Sequence, residues 1–197
     1  MNGPVREAGT AVLADGSRLV WSVADGRRGR RWRAISTRHG VLRQVLLLET
    51  GPDGRPTRLE LATPDGLLTL HPEADGTSLH GNVVTRDAVR HLSFGWSAAH
   101  GLAIEGQPIA DAVIARRLAG SLAVGEGSSL PVVVVAQDLA AGEETWSVRR
   151  LSRGDWRIEA GEDRPGAPTR SLSIDEQGLP ASLGAAMHWP LELDPER

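Results

Sequence analysis

The chain has 197 residues, enough for one sizeable core, and its formal net charge of −3 gives no reason to expect nucleic acid as a partner. It contains no Cys, which excludes disulfides, zinc–thiolate sites and cysteine nucleophiles. No apolar run has the length of a signal peptide or a transmembrane helix, so the sequence predicts a soluble, cytoplasmic protein without a membrane span.

Residues 1–9 are predicted to be a loose N-terminal segment. The rest of the first half of the chain has strand patterns. In the segment RLVWSVA, Leu19, Trp21 and Val23 recur at period two, as on one face of a strand. Residues 41–50 are nearly continuously apolar, which is typical of a central or doubly buried strand. Turn signals recur at near-regular intervals at Asp15-Gly16, Asp65-Gly66 and Asp75-Gly76. The pattern predicts an antiparallel meander of about seven strands.

Basic residues are concentrated in residues 26–33, which hold five arginines: Arg27, Arg28, Arg30, Arg31 and Arg33. A guanidinium group matches a phosphate with two parallel hydrogen bonds, so this run fits a phosphate-binding cluster. It also fits a solvated turn that leads into the strand RRWRAIST. The sequence leaves both interpretations open.

One segment, residues 106–118, is patterned as a helix. Pro108 suits a first helical turn, and Ile109, Val113 and Leu118 continue an apolar stripe at helical spacing. Gly120 is predicted to close the helix in the left-handed conformation. Residues 96–104 are predicted to be a connector into it. A single helix among many strands must bury its stripe against the concave face of a sheet.

About five strands are predicted after the helix, the last an edge strand that carries Pro190. The pattern as a whole predicts an all-β domain over residues 1–197, with a strongly curved antiparallel sheet or half barrel and the helix in its concavity. The Trp hairpin RLVWSVADGRRGRRWRAIST is loosely echoed by TWSVRRLSRGDWRIEAGE. This echo suggests two similar β halves, over about residues 10–95 and 120–197.

Motifs of known chemistry are almost entirely missing, so we predict no catalytic residue, no metal site and no cofactor. Ser128 and Ser129 lie beside glycines, but their spacing implies no His–Asp partner. His80, His91 and His100 fall close enough along the chain to be considered as metal ligands, yet no carboxylate is placed to orient them. Scattered surface or pocket-lining histidines are the alternative that we favour.

Large and cationic side chains are the better candidates for a binding site. With six Trp and one Phe in the chain, indole rings must supply the core, a pocket, or both. Arg116 and Arg117 end the predicted helix, where they either complement its dipole or hold an anionic head group. We therefore predict a ligand site from the following residues: Trp21, Trp32, His91, Trp96, Arg116 and Arg117.

The order of these features resembles a glycolipid-binding family of bacterial proteins. The carrying residues are the Trp21 strand, the meander over residues 59–70, the helix end Ala115-Arg116-Arg117-Leu118, the segment PVVVVAQDL, and the tail SLSIDEQGLPASL. The resemblance implies a fold similar to the lipoprotein carriers of the bacterial envelope, an incomplete barrel plugged by short helices. Here the central segment lacks the family's Thr and Asn residues and keeps only Pro108 before the helix end.

Three functions follow from these observations. The first is non-enzymatic binding of an amphipathic ligand, a lipid or glycolipid, in the concavity of the half barrel. The second is a protein-interaction or scaffold module that uses exposed strand edges or the arginine run. The third, and least favoured, is a hydrolase or isomerase that uses His91 or His100. The oligomeric state is not predicted.

Overall fold

The computed structural model describes residues 6–13, 15–161 and 169–182. Within them the protein is mainly β with one helix, as the sequence predicts. The chain divides into two compact units, with the described residues up to Ser97 in the first and those from Ala98 onward in the second. The single domain over residues 1–197 stays a prediction, because two compact units can share one cooperative unfolding transition.

The first unit is one eight-stranded sheet in which every strand pairs antiparallel with the next along the chain. Its strands are β1 (Arg6–Val12), β2 (Arg18–Gly26), β3 (Gly29–Arg38), β4 (Val41–Thr50), β5 (Pro56–Thr63), β6 (Gly66–Pro72), β7 (Ser78–Val84) and β8 (Val89–Gly95). The turn glycines Gly16, Gly66 and Gly76 have positive φ, a conformation that costs glycine little. The predicted meander is therefore present.

Side chains of this sheet alternate between a buried face and an outer face. The buried face has a row in which Trp32 pairs with Leu48, Leu48 with Leu59, and Leu59 with Leu70. All four side chains are at most 1% exposed. The next residue in this row is Gly81, which pairs with Leu70. The residues that alternate with this row point to the outer face. Near the β2–β3 turn these outer side chains are polar, among them Arg31, Glu49 and Arg58.

Two details differ from the sequence prediction. Strand β1 begins at Arg6, so part of the predicted loose end pairs with β2, with Arg6 opposite Ala24. The arginine run is mostly strand, because only Arg27 and Arg28 form the β2–β3 turn and Arg30 already pairs with Asp25. A two-residue turn is all that an antiparallel hairpin needs.

The second unit contains a six-stranded sheet in the order β14-β13-β12-β11-β10-β9, which curls into a half barrel. Its strands are β9 (Gly101–Ile104), β10 (Gly127–Val135), β11 (Ala141–Arg150), β12 (Asp155–Ala160), β13 (Arg170–Ile174) and β14 (Pro180–Ser182). The prediction of a connector over residues 96–104 is wrong for its last part, where β9 pairs parallel with β10. A parallel neighbour requires a crossover, and helix α1 provides it.

Helix α1 (Pro108–Leu118) ends at the predicted residue but begins two residues after the predicted start at Gly106, and it packs on the half barrel. Its Ala112, Ile114 and Ala115 lie in one buried apolar cluster with residues from five strands of this sheet. The predicted closure by a left-handed Gly120 is wrong: Ala119 is right-handed at the C-cap, and Gly120 has no positive φ. Instead, Arg150 Nη1 donates to the carbonyl oxygens of Ala119 at 2.9 Å and Leu122 at 2.8 Å.

The predicted edge strand at Pro190 lies outside the described residues. The two Trp hairpins of the internal echo are both present, as β2–β3 and β11–β12. In each, an arginine lies over an indole ring: Arg30 over Trp32 and Arg150 over Trp156. The duplication itself stays a prediction. In the described ranges, no helix has the length and apolar character that a membrane-spanning helix needs.

Gly81 is expected to limit the stability of the first unit. A Cβ atom there would collide with the backbone carbonyl of Thr69 on the neighbouring strand β6. That carbonyl cannot move away without disturbing the register of β6 and β7. Gly81→Ala should therefore lower the free energy of unfolding in urea by about 2 kcal/mol or more. Gly95→Ala is the matched control, since its Cβ would meet nothing within 4 Å. Equal stability of the two variants would contradict the importance of this close approach.

Candidate functional site

The predicted tryptophans are buried. The rings of Trp21 and Trp32 lie on the buried face of the eight-stranded sheet, with centroids 6.2 Å apart and planes inclined by 45°. Trp96 follows β8 and is 8% exposed, and its backbone N–H donates to the Thr77 carbonyl oxygen at 2.9 Å. These rings therefore pack as core side chains at the positions where the sequence left core and pocket open.

His91 lies on the outer face of the same sheet. Its Nδ1 is 2.5 Å from Oδ1 of Asn82, the residue opposite it on β7. His80 also faces outward, but it lies opposite His71 and Ser93, while His100 lies in the second unit, 3.8 Å from a carboxylate oxygen of Glu143. Among the described residues, no group of three His, Asp or Glu is positioned to hold a metal ion.

The helix arginines make intramolecular contacts in the second unit. The Arg117 guanidinium donates to the carbonyl oxygens of His100 at 2.5 Å and Ala99 at 3.1 Å, which ties the end of α1 to the segment before β9. The side chain of Arg116 lies so close to Gly178 that a Cβ atom there would overlap it. The role of these arginines as head-group ligands stays a prediction.

A buried polar cluster, which the sequence did not predict, joins α1 to the half barrel. Asp111 is 3% exposed, and its Oδ2 is 3.4 Å from the Arg170 guanidinium. Arg170 lies 4.3 Å above the ring of Trp146, whose Nε1 donates to Glu144 at 2.9 Å. Oδ1 of Asp111 has no hydrogen-bond partner in the described part of the chain. Nothing in the spacing could have paired Asp111 with Arg170, because the fold alone brings these distant segments together.

The first unit carries a groove of about 840 Å³. It spans the turn end of β2 and β3 and the neighbouring parts of β4, β5 and β6. We call it the polar groove, and its lining includes Arg28, Arg31, Glu49, Arg58, Glu60, Thr69 and His71. Strand alternation places all of these except the turn residue Arg28 on the outer face. The groove thus contains part of the arginine run that the sequence singled out.

Opposite charges pair along the polar groove. Arg31 contacts Glu49 at 2.5 Å across β3 and β4, and Arg58 pairs with Glu60 along β5. Arg28 has no hydrogen bond or ion pair among the described residues. The groove therefore presents guanidinium donors beside carboxylate acceptors, with Arg28 as one additional cation.

The same outer face carries an apolar stripe that crosses seven strands. Register aligns its members one per strand: Val20, Ile35, Val45, Ala62, Leu67, Val84 and Val89. All but Ala62 are large side chains, and these are 37–60% exposed. No periodicity predicts such a row, because its members are far apart in the chain and meet only through cross-strand pairing. Contiguous exposed apolar surface commonly marks an interaction site.

Asp111 is expected to make stability depend on pH. Burial raises the pKa of Asp111 from 3.8 to about 6, against the opposing effect of the Arg170 charge. The folded state therefore favours the proton, and the stability this provides is complete below pH 4 and is lost as pH rises through 6. Between pH 5 and pH 8 the wild type should lose about 1–2 kcal/mol of unfolding free energy from this group.

Urea unfolding at both pH values, followed by Trp fluorescence, measures this loss. Asp111→Asn should remove it, whereas Glu159→Gln, a change at an exposed position on β12, should keep the wild-type dependence. An unchanged pH dependence in Asp111→Asn would refute the assignment.

Comparison with known proteins supports the fold and nothing finer. No protein-family model matches the chain, and no curated protein does. Among solved structures, the chain is similar to the crystal structure at 1.80 Å of a DUF1089 family protein from Pseudomonas aeruginosa. The TM-score is 0.55 at 18% sequence identity, over 98% of this chain and 94% of that chain. At this identity the likeness shows the fold alone, so membership of a glycolipid-binding family stays a prediction.

Proposed function

We propose that this protein is a non-enzymatic binding protein that takes the head group of an amphipathic ligand, such as a lipid or glycolipid, in the polar groove. The observation that carries this proposal is the juxtaposition of that groove and the apolar stripe on one face of the eight-stranded sheet. Arg31, Glu49 and Arg58 of the groove lie four residues from the stripe along their strands. At the usual rise this separation is about 13 Å, within the span of one amphiphile.

The chemistry of the polar groove fits a hydroxyl-rich head group. A sugar hydroxyl both donates and accepts hydrogen bonds, and adjacent guanidinium and carboxylate groups offer both functions at fixed positions. The ion pairs Arg31–Glu49 and Arg58–Glu60 place a donor and an acceptor side by side at two points of the groove. Arg28 adds a cation for an anionic substituent. The groove volume lies within the range of small-molecule sites.

This proposal moves the site away from the place that the sequence favours. The concavity of the half barrel is occupied by α1 and by buried side chains such as Trp146 and Trp156. The tryptophans of the first unit are likewise enclosed, with Trp21 2% and Trp32 0% exposed. An open groove with charged walls is the better receptor for a head group, since it needs no rearrangement of packed core.

Removal of two groove arginines should weaken ligand binding. Native mass spectrometry of protein incubated with a bacterial total lipid extract should show an adduct of lipid mass, identified by organic extraction. Arg31→Gln combined with Arg58→Gln should reduce adduct occupancy about tenfold or more, because each lost charged hydrogen bond contributes on the order of 1.5–3 kcal/mol.

The matched control combines Arg149→Gln with Arg157→Gln. These two exposed arginines are cross-strand partners in the second unit, so the control makes the same change of charge away from the groove. It should bind lipid as the wild type does. Absence of any adduct on the wild type, or equal occupancy of both double variants, would contradict a ligand site in the polar groove.

A further inference from the structure

The apolar stripe is bordered by arginines on both sides of the outer face. Arg18 lies two residues before Val20 on β2, and Arg33 lies two residues before Ile35 on β3, so strand direction puts them on opposite sides of the stripe. Neither has a hydrogen bond or an ion pair among the described residues. The strand carboxylate nearest the stripe on this face is Glu60, which is already paired with Arg58. Among the strand residues of this face, the unpaired charge beside the stripe is therefore positive; the β5–β6 and β7–β8 turns add the carboxylates of Asp65 and Asp87 and the guanidinium of Arg86.

The composition and shape of the apolar stripe restrict which kind of partner can bind to it. All members are aliphatic, and the row is one residue wide. At the usual strand spacing and rise it measures roughly 30 Å by 7 Å, on the order of 200 Å². A stable protein–protein interface buries about 800 Å² on each partner, several times this area. A second copy packed stripe against stripe would in addition bring unpaired arginines of like charge close together.

We propose that the outer face of the eight-stranded sheet docks on an anionic lipid bilayer, with the apolar stripe lying in the interface between head groups and acyl chains. A bilayer accepts a narrow aliphatic row because each side chain leaves water separately, with no matching surface required. Arginines at its borders extend their aliphatic stems over the apolar region while their guanidinium groups reach lipid phosphates. Anionic lipid head groups would pair with Arg18 and Arg33, which have no acidic partner among the described residues.

Docking in this orientation also places the polar groove at the depth of the head groups. Glu60 and Thr69 line the groove, and each lies two residues from a stripe residue on its own strand, Ala62 and Leu67. A bound amphiphile would then keep its tail in the leaflet while the groove holds its head. Only this last step rests on the proposed function, because the stripe and its arginines can dock whether or not the groove is occupied.

Vesicle co-sedimentation tests the docking. Wild-type protein should sediment with vesicles of equal phosphatidylglycerol and phosphatidylcholine, bind less as salt is raised, and bind pure phosphatidylcholine at least tenfold more weakly. Ile35→Gln combined with Leu67→Gln should reduce the partition coefficient at least tenfold. Both positions are exposed, so the variant is expected to fold, which circular dichroism checks. Arg18→Gln combined with Arg33→Gln should remove the preference for anionic vesicles.

The matched control is Val124→Gln combined with Leu151→Gln, which changes two apolar residues of the second unit that are at least as exposed as Ile35 and Leu67 and should sediment as the wild type does. Arg31→Gln combined with Arg58→Gln removes two positive charges from the docking face, so it should weaken sedimentation with anionic vesicles only in part while it removes most of the lipid adduct, and the two assays together distinguish loss of groove binding from loss of docking. Wild-type protein that stays in the supernatant with both vesicles would overturn the proposal. So would unchanged sedimentation of the stripe variant, or a concentration-dependent dimer that the stripe variant abolishes without any vesicle binding.

Discussion

Strand register in the eight-stranded sheet is the constraint on which the first unit and its candidate surfaces depend. Cross-strand pairing aligns Trp32, Leu48, Leu59 and Leu70 in one buried row, and Gly81 continues it where a side chain has no room. A slip of one residue would move a strand's leucines into water and its charged residues into the core. The same pairing that buries this row therefore assembles the polar groove and the apolar stripe on the opposite face.

The second unit depends on polar contacts that reach across its half barrel. Arg150 donates to the carbonyl oxygens that follow α1 and stacks on Trp156, so one side chain fastens the helix end to the sheet. Asp111 and Arg170 connect the other end of α1 to β13 above the ring of Trp146. Removal of Arg170 would be costly, since the buried Asp111 carboxylate would lose its charged partner, whereas Arg170 itself is partly exposed. These contacts fix the position of α1 on the half barrel.

Both units use tryptophan in the same way, as a large buried ring with an arginine stacked on it. Arg30 reaches Trp32 from two residues earlier on the same strand, whereas Arg150 reaches Trp156 from the opposite position on the neighbouring strand. Stacked guanidinium groups tolerate burial when they are also hydrogen-bonded, as Arg30 is to Asp25. The rings of Trp32 and Trp156 are buried, whereas the polar groove and the apolar stripe consist mainly of arginine, glutamate and aliphatic side chains.

The sequence by itself determined the β class, most turns and the presence and last residue of α1, because period-two alternation, Asp-Gly pairs and helical spacing are local properties of the chain. It also singled out the arginine run, of which Arg28, Arg30 and Arg31 line the polar groove. Only the tertiary structure decided that β9 pairs parallel with β10, that Asp111 meets Arg170, and that seven separate aliphatic residues form a stripe. Each of these depends on which strands become neighbours and in what register, and that information is non-local.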